Sequence, residues 1–129
     1  MIKLYTSPTP NGRKISILLE ELNAEYETIL VDLSKKEQFK KEFSKLSPTN
    51  KIPVIVDTEN NQRIFESGAI LIYLAQKYNK FLDNENYWEI MQWLILQVAY
   101  VGPMLGQAHQ YLFCLLYTSP EPTRQLCIS

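Results

Sequence analysis

Cysteine is nearly missing from this chain: both copies, Cys114 and Cys127, lie in the last sixteen of 129 residues. The body of the chain therefore holds no disulfide framework, thiolate zinc cluster or thiol nucleophile of its own. Excess charge is missing too. The formal net charge is −1, so no basic field attracts nucleic acid. Lys35, Lys36, Lys40 and Lys41 are interleaved with Glu37 and Glu42, the pattern of a solvated helix face rather than of a polyanion site. No run approaches the ~18 continuous apolar residues of a membrane span. Met1-Ile2-Lys3-Leu4 lacks the basic region, apolar run and cleavage site of a secretory leader. These absences predict a cytoplasmic protein with no nucleic-acid or membrane partner. The single histidine, His109, reads as a surface or interface residue rather than a base, and no metal site is predicted.

What is present is a soluble globular composition, 46% hydrophobic and 21% charged, with room for one domain of ordinary size. Ile2-Lys3-Leu4-Tyr5 reads as a strand that enters Thr6-Ser7-Pro8-Thr9-Pro10-Asn11-Gly12, where two prolines and a glycine punctuate the chain. Ile15, Leu18, Leu19 and Leu22 then form one helical stripe, with Asn11 at the expected N-cap. The stretch from Tyr26 to Val31 reads as a second strand, parallel to the first across the helix. Phe39, Phe43 and Leu46 mark a short helix stopped by Ser47-Pro48-Thr49-Asn50. Val54 to Val56 and Arg63-Ile64-Phe65 read as a hairpin, and Ser67 as the N-cap of a third helix. The order is β-α-β-α-β-β-α, an α/β domain. A long apolar helix follows from about Tyr87, striped by Trp88, Met91, Ile95 and Val98 and kinked at Gly102-Pro103.

Three stretches carry chemistry. Pro53 cannot donate to a ladder, so it belongs at the mouth of the strand from Val54, leaving the Ile52 backbone as an open edge. Taken alone, Ile52-Pro53 reads as an ordinary trans turn. At Glu66-Ser67 a strand meets a helix whose first N–H groups favour a carboxylate, while Glu66 offers a charge for an ammonium. A zwitterionic amino-acid end fits there, although an acidic first turn on a capped helix is the plainer reading. The topology puts both stretches near Thr9 to Asn11, at the start of the first helix. An extended peptide pairing with Ile52 would place one end on Glu66 and Ser67 and a thiol at Thr9 and Asn11. The helix N-terminus and those donors would hold that thiol as thiolate.

In Thr6-Ser7-Pro8-Thr9-Pro10-Asn11-Gly12-Arg13-Lys14, Asn50-Lys51-Ile52-Pro53 and Phe65-Glu66-Ser67-Gly68-Ala69-Ile70 the chain resembles the amino-terminal half of a glutathione transferase. It is most similar to the nu class, the bacterial glutathione-dependent disulfide-bond oxidoreductases, to which fungal nitrogen regulators are related. The resemblance runs from Met1 to about Tyr111. It implies a thioredoxin-like domain with a cis bond at Pro53, glutathione as co-substrate paired with Ile52, and γ-glutamyl recognition by Glu66 and Ser67. It places Lys51 and Gln38 near the ligand, and Thr9 and Asn11 at the thiol as the catalytic pair. It implies a homodimer whose second substrate is a small electrophile or disulfide. A non-catalytic regulatory or protein-binding module on the same fold is the alternative.

The expected organisation is a glutathione-binding domain over residues 1–82, the first helix of a truncated helical domain over 83–113, and a non-native tail over 114–129. Cys114-Leu115-Leu116-Tyr117-Thr118-Ser119-Pro120 resembles a translated transposon-type sequencing adapter; the competing reading continues the helix until Ser119-Pro120 stops it. With the Trp88 stripe uncovered, the apolar patch would exceed the few hundred square ångströms usual on monomers. The chain is accordingly expected to self-associate in light scattering, and a monodisperse monomer would count against that.

Overall fold

The computed structural model describes residues 1–114, and the expected non-native tail 114–129 lies outside them except for Cys114. The chain divides into two units, Met1–Glu85 and a second that begins at Asn86. In the first unit the order is β1 (Ile2–Thr6), α1 (Pro10–Glu21), β2 (Tyr26–Leu30), a 3-10 turn (Glu37–Phe39), α2 (Lys41–Ser44), β3 (Val54–Asp57), β4 (Gln62–Phe65) and α3 (Ser67–Tyr78). This is the expected thioredoxin-like sequence of elements. The sheet order is β2-β1-β3-β4, with β1 and β2 parallel and the other two pairs antiparallel. The parallel pair follows from the helix-length crossover, whereas β3 and β4 are joined by a short loop.

Alternation along the strands sorts side chains into two cores. Ile2 and Leu4 of β1 and Ile55 of β3 pack with Ile15 and Leu19 of α1 and Ile70 and Leu74 of α3. The neighbouring Val54 joins Val31, Phe43 and Ile52 in a second cluster, with Tyr5, Leu33 and Leu46 against it. Fully burying side chains of this size contributes about 1.5–3 kcal/mol each.

Three local expectations need correction. Helix α1 starts at Pro10, and its N-cap is Thr9, not Asn11; a proline suits the first helical position, because its φ is already helical and its missing N–H would have had no partner. Ser67 is the first residue of α3 rather than its cap, and Glu66 holds the cap position at φ 70° and ψ 118° without a side-chain cap bond. Phe39 is half exposed, so only Phe43 of that stripe is buried. Helices α1 and α3 both end at an asparagine in the left-handed region, Asn23 and Asn79, a residue type that tolerates this conformation at a helix C-terminus.

The second unit runs through α4 (Tyr87–Leu96), a π-type turn (Gln97–Val101), α5 (Gly102–His109) and a second π-type turn (Gln110–Cys114). Immediately before Gly102-Pro103, where a kink is expected, the helix widens into the first π-type turn. Pro103 has no N–H for the carbonyl four residues back, and Gly102 donates instead to Gln97 O, five residues back. Neither α4 nor α5 has a buried residue among those described, and Trp88 and Trp93 are 75% and 64% exposed. Among the described residues no helix is long and apolar enough to cross a membrane.

At the end of the sheet where β3 leaves and β4 enters, Asp57 is fully buried. Its Oδ2 accepts from Lys77 Nζ at 2.6 Å and Tyr73 OH at 2.5 Å, and its Oδ1 accepts the Glu59 N–H at 3.1 Å. Burial alone would raise the Asp57 carboxyl, but the bonds from Lys77, Tyr73 and the Glu59 amide outweigh it and hold it below the usual range. Hydrogen bonds to Asp57 and Glu59 hold the Lys77 ammonium above its own range. The Asp57 contribution is complete above the unfolded value of about 3.9 and disappears as pH falls through the lower folded value. Lys77→Met is expected to cost roughly 1.5–3 kcal/mol at neutral pH by removing the ammonium from a buried carboxylate that keeps only its Tyr73 and Glu59 bonds. Urea unfolding at neutral and at strongly acidic pH checks this: the deficit should shrink once Asp57 is protonated, and an equal deficit at both would reject the pairing.

Candidate functional site

The ladder registers Tyr5 with Val54 and Val54 with Phe65, so β1 ends, β3 begins and β4 ends at one edge of the sheet. Strand β2 ends there as well, Leu30 standing beside Thr6. The sequence-predicted residues hang from that edge. Thr9 follows β1, Gln38 follows β2, Lys51, Ile52 and Pro53 precede β3, and Glu66 and Ser67 follow β4.

Pro53 is buried and its bond to Ile52 is cis. The ladder starts at Val54, and the Ile52 N–H and C=O have no backbone partner among the described residues. The approach to Ile52 is held by the 47–51 turn. Buried Ser47 accepts the Lys51 N–H at 3.2 Å, and Ser44 Oγ donates to Asn50 Oδ1 at 2.7 Å. Asn50 stands at φ 55°. Lys51 itself is exposed.

Glu66 is exposed and makes the corner between β4 and α3 through its positive φ. Its carbonyl accepts the Ile70 N–H at 3.0 Å, so the Ser67, Gly68 and Ala69 amides are the unpaired first turn of α3. The Ser67 hydroxyl is half-buried beside them. Together they offer donors for a carboxylate next to a carboxylate suited to an ammonium.

Thr9 caps α1: its Oγ1 accepts the Gly12 N–H at 3.2 Å. A hydroxyl that accepts this bond keeps its own hydrogen for another acceptor, and that acceptor can be a thiolate. Asn11 is exposed on the first turn, with Oδ1 accepting from Lys14 Nζ at 3.0 Å, so its amide hydrogens face outward as donors. Gln38 is fully buried, and neither Nε2 nor Oε1 has a partner among the described residues. A buried amide without a partner is expensive, of the order of 1–3 kcal/mol.

Sequence reasoning missed several residues. Ser7 is buried with Oγ donating to the Val31 carbonyl, which ties the loop after β1 to the end of β2. An open apolar groove of about 360 Å³ runs beside Thr9 between Pro8, Leu30 and Leu33, with Asp32 in its wall. Hydrogen bonds from the Ser34 hydroxyl and the Lys35 amide bring the Asp32 carboxyl down to about 2, so it is ionised throughout the physiological range. The Ser7-Pro8 and Asp32-x-Ser34 spacings were the available signals, both of them ordinary loop chemistry.

Residues 1–76 match the family model of the glutathione S-transferase N-terminal domain. The disulfide-bond oxidoreductase YfcG of Escherichia coli (strain K12) is 48% identical over 127 residues, an alignment covering 93% of this chain and 59% of that protein. A glutathione transferase homologue from Lodderomyces elongisporus, solved with two glutathione molecules per subunit, superimposes with a TM-score of 0.84 at 42% identity, covering 92% of this chain and 60% of the other. A glutathione transferase from Pseudomonas putida, solved with one glutathione disulfide per subunit, gives 0.83 at 42% identity, over 87% and 51%. The chain thus spans about half to three-fifths of the length of these relatives.

Gly12 lets α1 reach the loop. A Cβ there would overlap Thr6 Oγ1 and stand 2.5 Å from the Ser7 carbonyl oxygen, a backbone atom that cannot swing away. Gly12→Ala is expected to lower stability by roughly 1–3 kcal/mol, as overpacking does. The midpoint of urea unfolding measures it, and no change would show that the loop yields freely.

Proposed function

The chain belongs to the glutathione S-transferase family, and from that premise we propose that it binds glutathione across the open edge of the sheet, in the amino-terminal part of a glutathione-dependent enzyme. The tripeptide is a short extended chain with a zwitterionic γ-glutamyl end and a thiol. Its middle backbone pairs with Ile52 as an added strand. Its α-carboxylate takes the Ser67 hydroxyl and the first amides of α3, and its ammonium meets Glu66. Gln38 and Lys51 are assigned to the remaining carboxylate. The thiol lies at Thr9 and Asn11, with the thiolate accepting from the Thr9 hydroxyl and the Asn11 amide.

One observation carries this reading: Ile52, lying outside the ladder, and the unpaired first turn at Glu66-Ser67 stand at the same edge of the sheet. Since the described residues before Phe113 include no cysteine, the ligand supplies the nucleophile. Its thiolate attacks one sulfur of a small disulfide, a new S–S bond forms, and the other sulfur departs as thiolate. The relative solved with glutathione disulfide and the relative named a disulfide-bond oxidoreductase support disulfide reduction over conjugation. A homodimer in the cytoplasm, a domain boundary near residue 82 and a small electrophile or disulfide as second substrate belong to the same proposal.

Calorimetry with glutathione tests the binding half. Ser67→Ala is expected to weaken it by about 1–3 kcal/mol, through loss of a bond to a charged group; unchanged affinity would remove Ser67 from the site. For turnover, glutathione and 2-hydroxyethyl disulfide are given to a protein extended to its relatives' length. Reduction is expected, and tight binding without turnover would favour the regulatory module.

A further inference from the structure

Asn11 and Gly12 are each fixed by a separate demand, and together they place an amide side chain next to an unhindered backbone nitrogen. Packing against Thr6 and Ser7 requires glycine at position 12, while the donor role proposed at the thiol requires an amide at position 11. We propose that Asn11 is a latent deamidation site, held closed by the Thr9 cap, and that its conversion disables the thiol end of the glutathione site. The second half rests on the reading under Proposed function; the chemical step does not.

The step needs only water. The Gly12 nitrogen gives up its proton and attacks Asn11 Cγ; the N–Cγ bond forms, the Cγ–Nδ2 bond breaks, and ammonia leaves. Water then opens the succinimide at one carbonyl or the other, giving aspartate or isoaspartate. With no Cβ on Gly12, no side chain of its own hinders the attacking nitrogen once the turn opens. The folded chain opposes the step in two ways. The Gly12 N–H is committed to Thr9 Oγ1 at 3.2 Å, and helical geometry turns that nitrogen away from the Asn11 side chain. Attack therefore waits on opening of the first turn of α1, a local event at a helix end. Asn11 is exposed, so water reaches the ring once it forms. Lys14 Nζ, 3.0 Å from Asn11 Oδ1, draws electron density from the amide and then pairs with the product carboxylate. An isoaspartate would insert an extra backbone carbon between Thr9 and Arg13, whose N–H now bonds the Thr9 carbonyl at 2.9 Å. Either product replaces a donor with a negative charge beside a thiolate, which disfavours the ionised thiol.

The test follows the Asn11 peptide by mass spectrometry in mildly alkaline buffer, with isoaspartate scored by enzymatic methylation and Asn60 and Asn61 of the hairpin loop as internal references. Folded wild-type chain is expected to convert at Asn11 more slowly than the same chain in urea. Thr9→Val, which keeps the shape and loses the acceptor, is expected to accelerate the folded rate roughly fivefold, the factor for loss of a cap of ordinary strength. Thr9→Ser should restore the wild-type rate. Equal wild-type rates in buffer and urea, or a folded Thr9→Val chain converting like wild type, would overturn the proposal. Were Thr9→Val unfolded in a thermal melt, the wild-type comparison and Thr9→Ser would still decide. Saturating glutathione is expected to slow conversion; an unchanged rate with the Thr9 effects intact would overturn the place of Asn11 at the thiol and leave the latent site standing.

Discussion

Pro53 has no N–H to give, so the ladder that joins β3 to its neighbours stops at Val54, and the site depends on that interruption. Had pairing continued one step further, the Ile52 backbone would be spent inside the protein and no extended ligand could add to it. The side chain of Ile52 is meanwhile buried in the cluster with Val31, Phe43 and Val54. Residue 52 is thus held firmly through its side chain and left open through its backbone. An open edge is a hazard when it is long and flat; here it is short and bounded by Lys51 on one side and proline on the other.

The opposite end of the sheet is closed as tightly as this one is open. Asp57 is the last residue of β3, and its bonds to Lys77 and Tyr73 fasten that strand to α3. Because α3 begins at Ser67, the same helix presents its unpaired first turn at the open edge and its anchoring residues at the other. Fixing β3 against α3 at one end steadies Ile52 relative to Ser67 at the other, where the proposed ligand would meet both. Preorganisation of this kind spares the cost of ordering loops on binding.

Much of this was legible from residue types. The apolar stripe of α1, the alternation of β1 and β3, and the break at Pro53 each follow from one local rule, and the order of elements came from reading them in sequence. The misplaced boundaries have a common cause. Asn11 and Ser67 are both good caps in isolation, yet Pro10 favours the first helical position, which makes Thr9 the cap, and the corner at Glu66 starts α3 without a capping side chain. Capping preference is worth about 1 kcal/mol, which tertiary geometry overrides. Gln38 was placed near the ligand only by family resemblance; its complete burial without a partner depends on three-dimensional packing that no spacing rule encodes. In the stripe from Trp88, by contrast, the periodicity was plain, and Trp88, Ile95 and Val98 are exposed while Met91 is partly buried; a stripe shows that a face is apolar, not what covers it.

Thr9 concentrates the remaining constraints. As a cap it accepts from Gly12, and in the proposed site it would also donate to a thiolate; a hydroxyl does both at once, whereas valine does neither and aspartate only accepts. The cap bond orients the oxygen, so the donated hydrogen is aimed by the helix rather than by a flexible rotamer. It also removes the Gly12 nitrogen from reach of Asn11. Stability of the helix start, direction of the hydroxyl and chemical integrity of the neighbouring amide are therefore one requirement, and a change that satisfies any one of them without the hydroxyl forfeits the others.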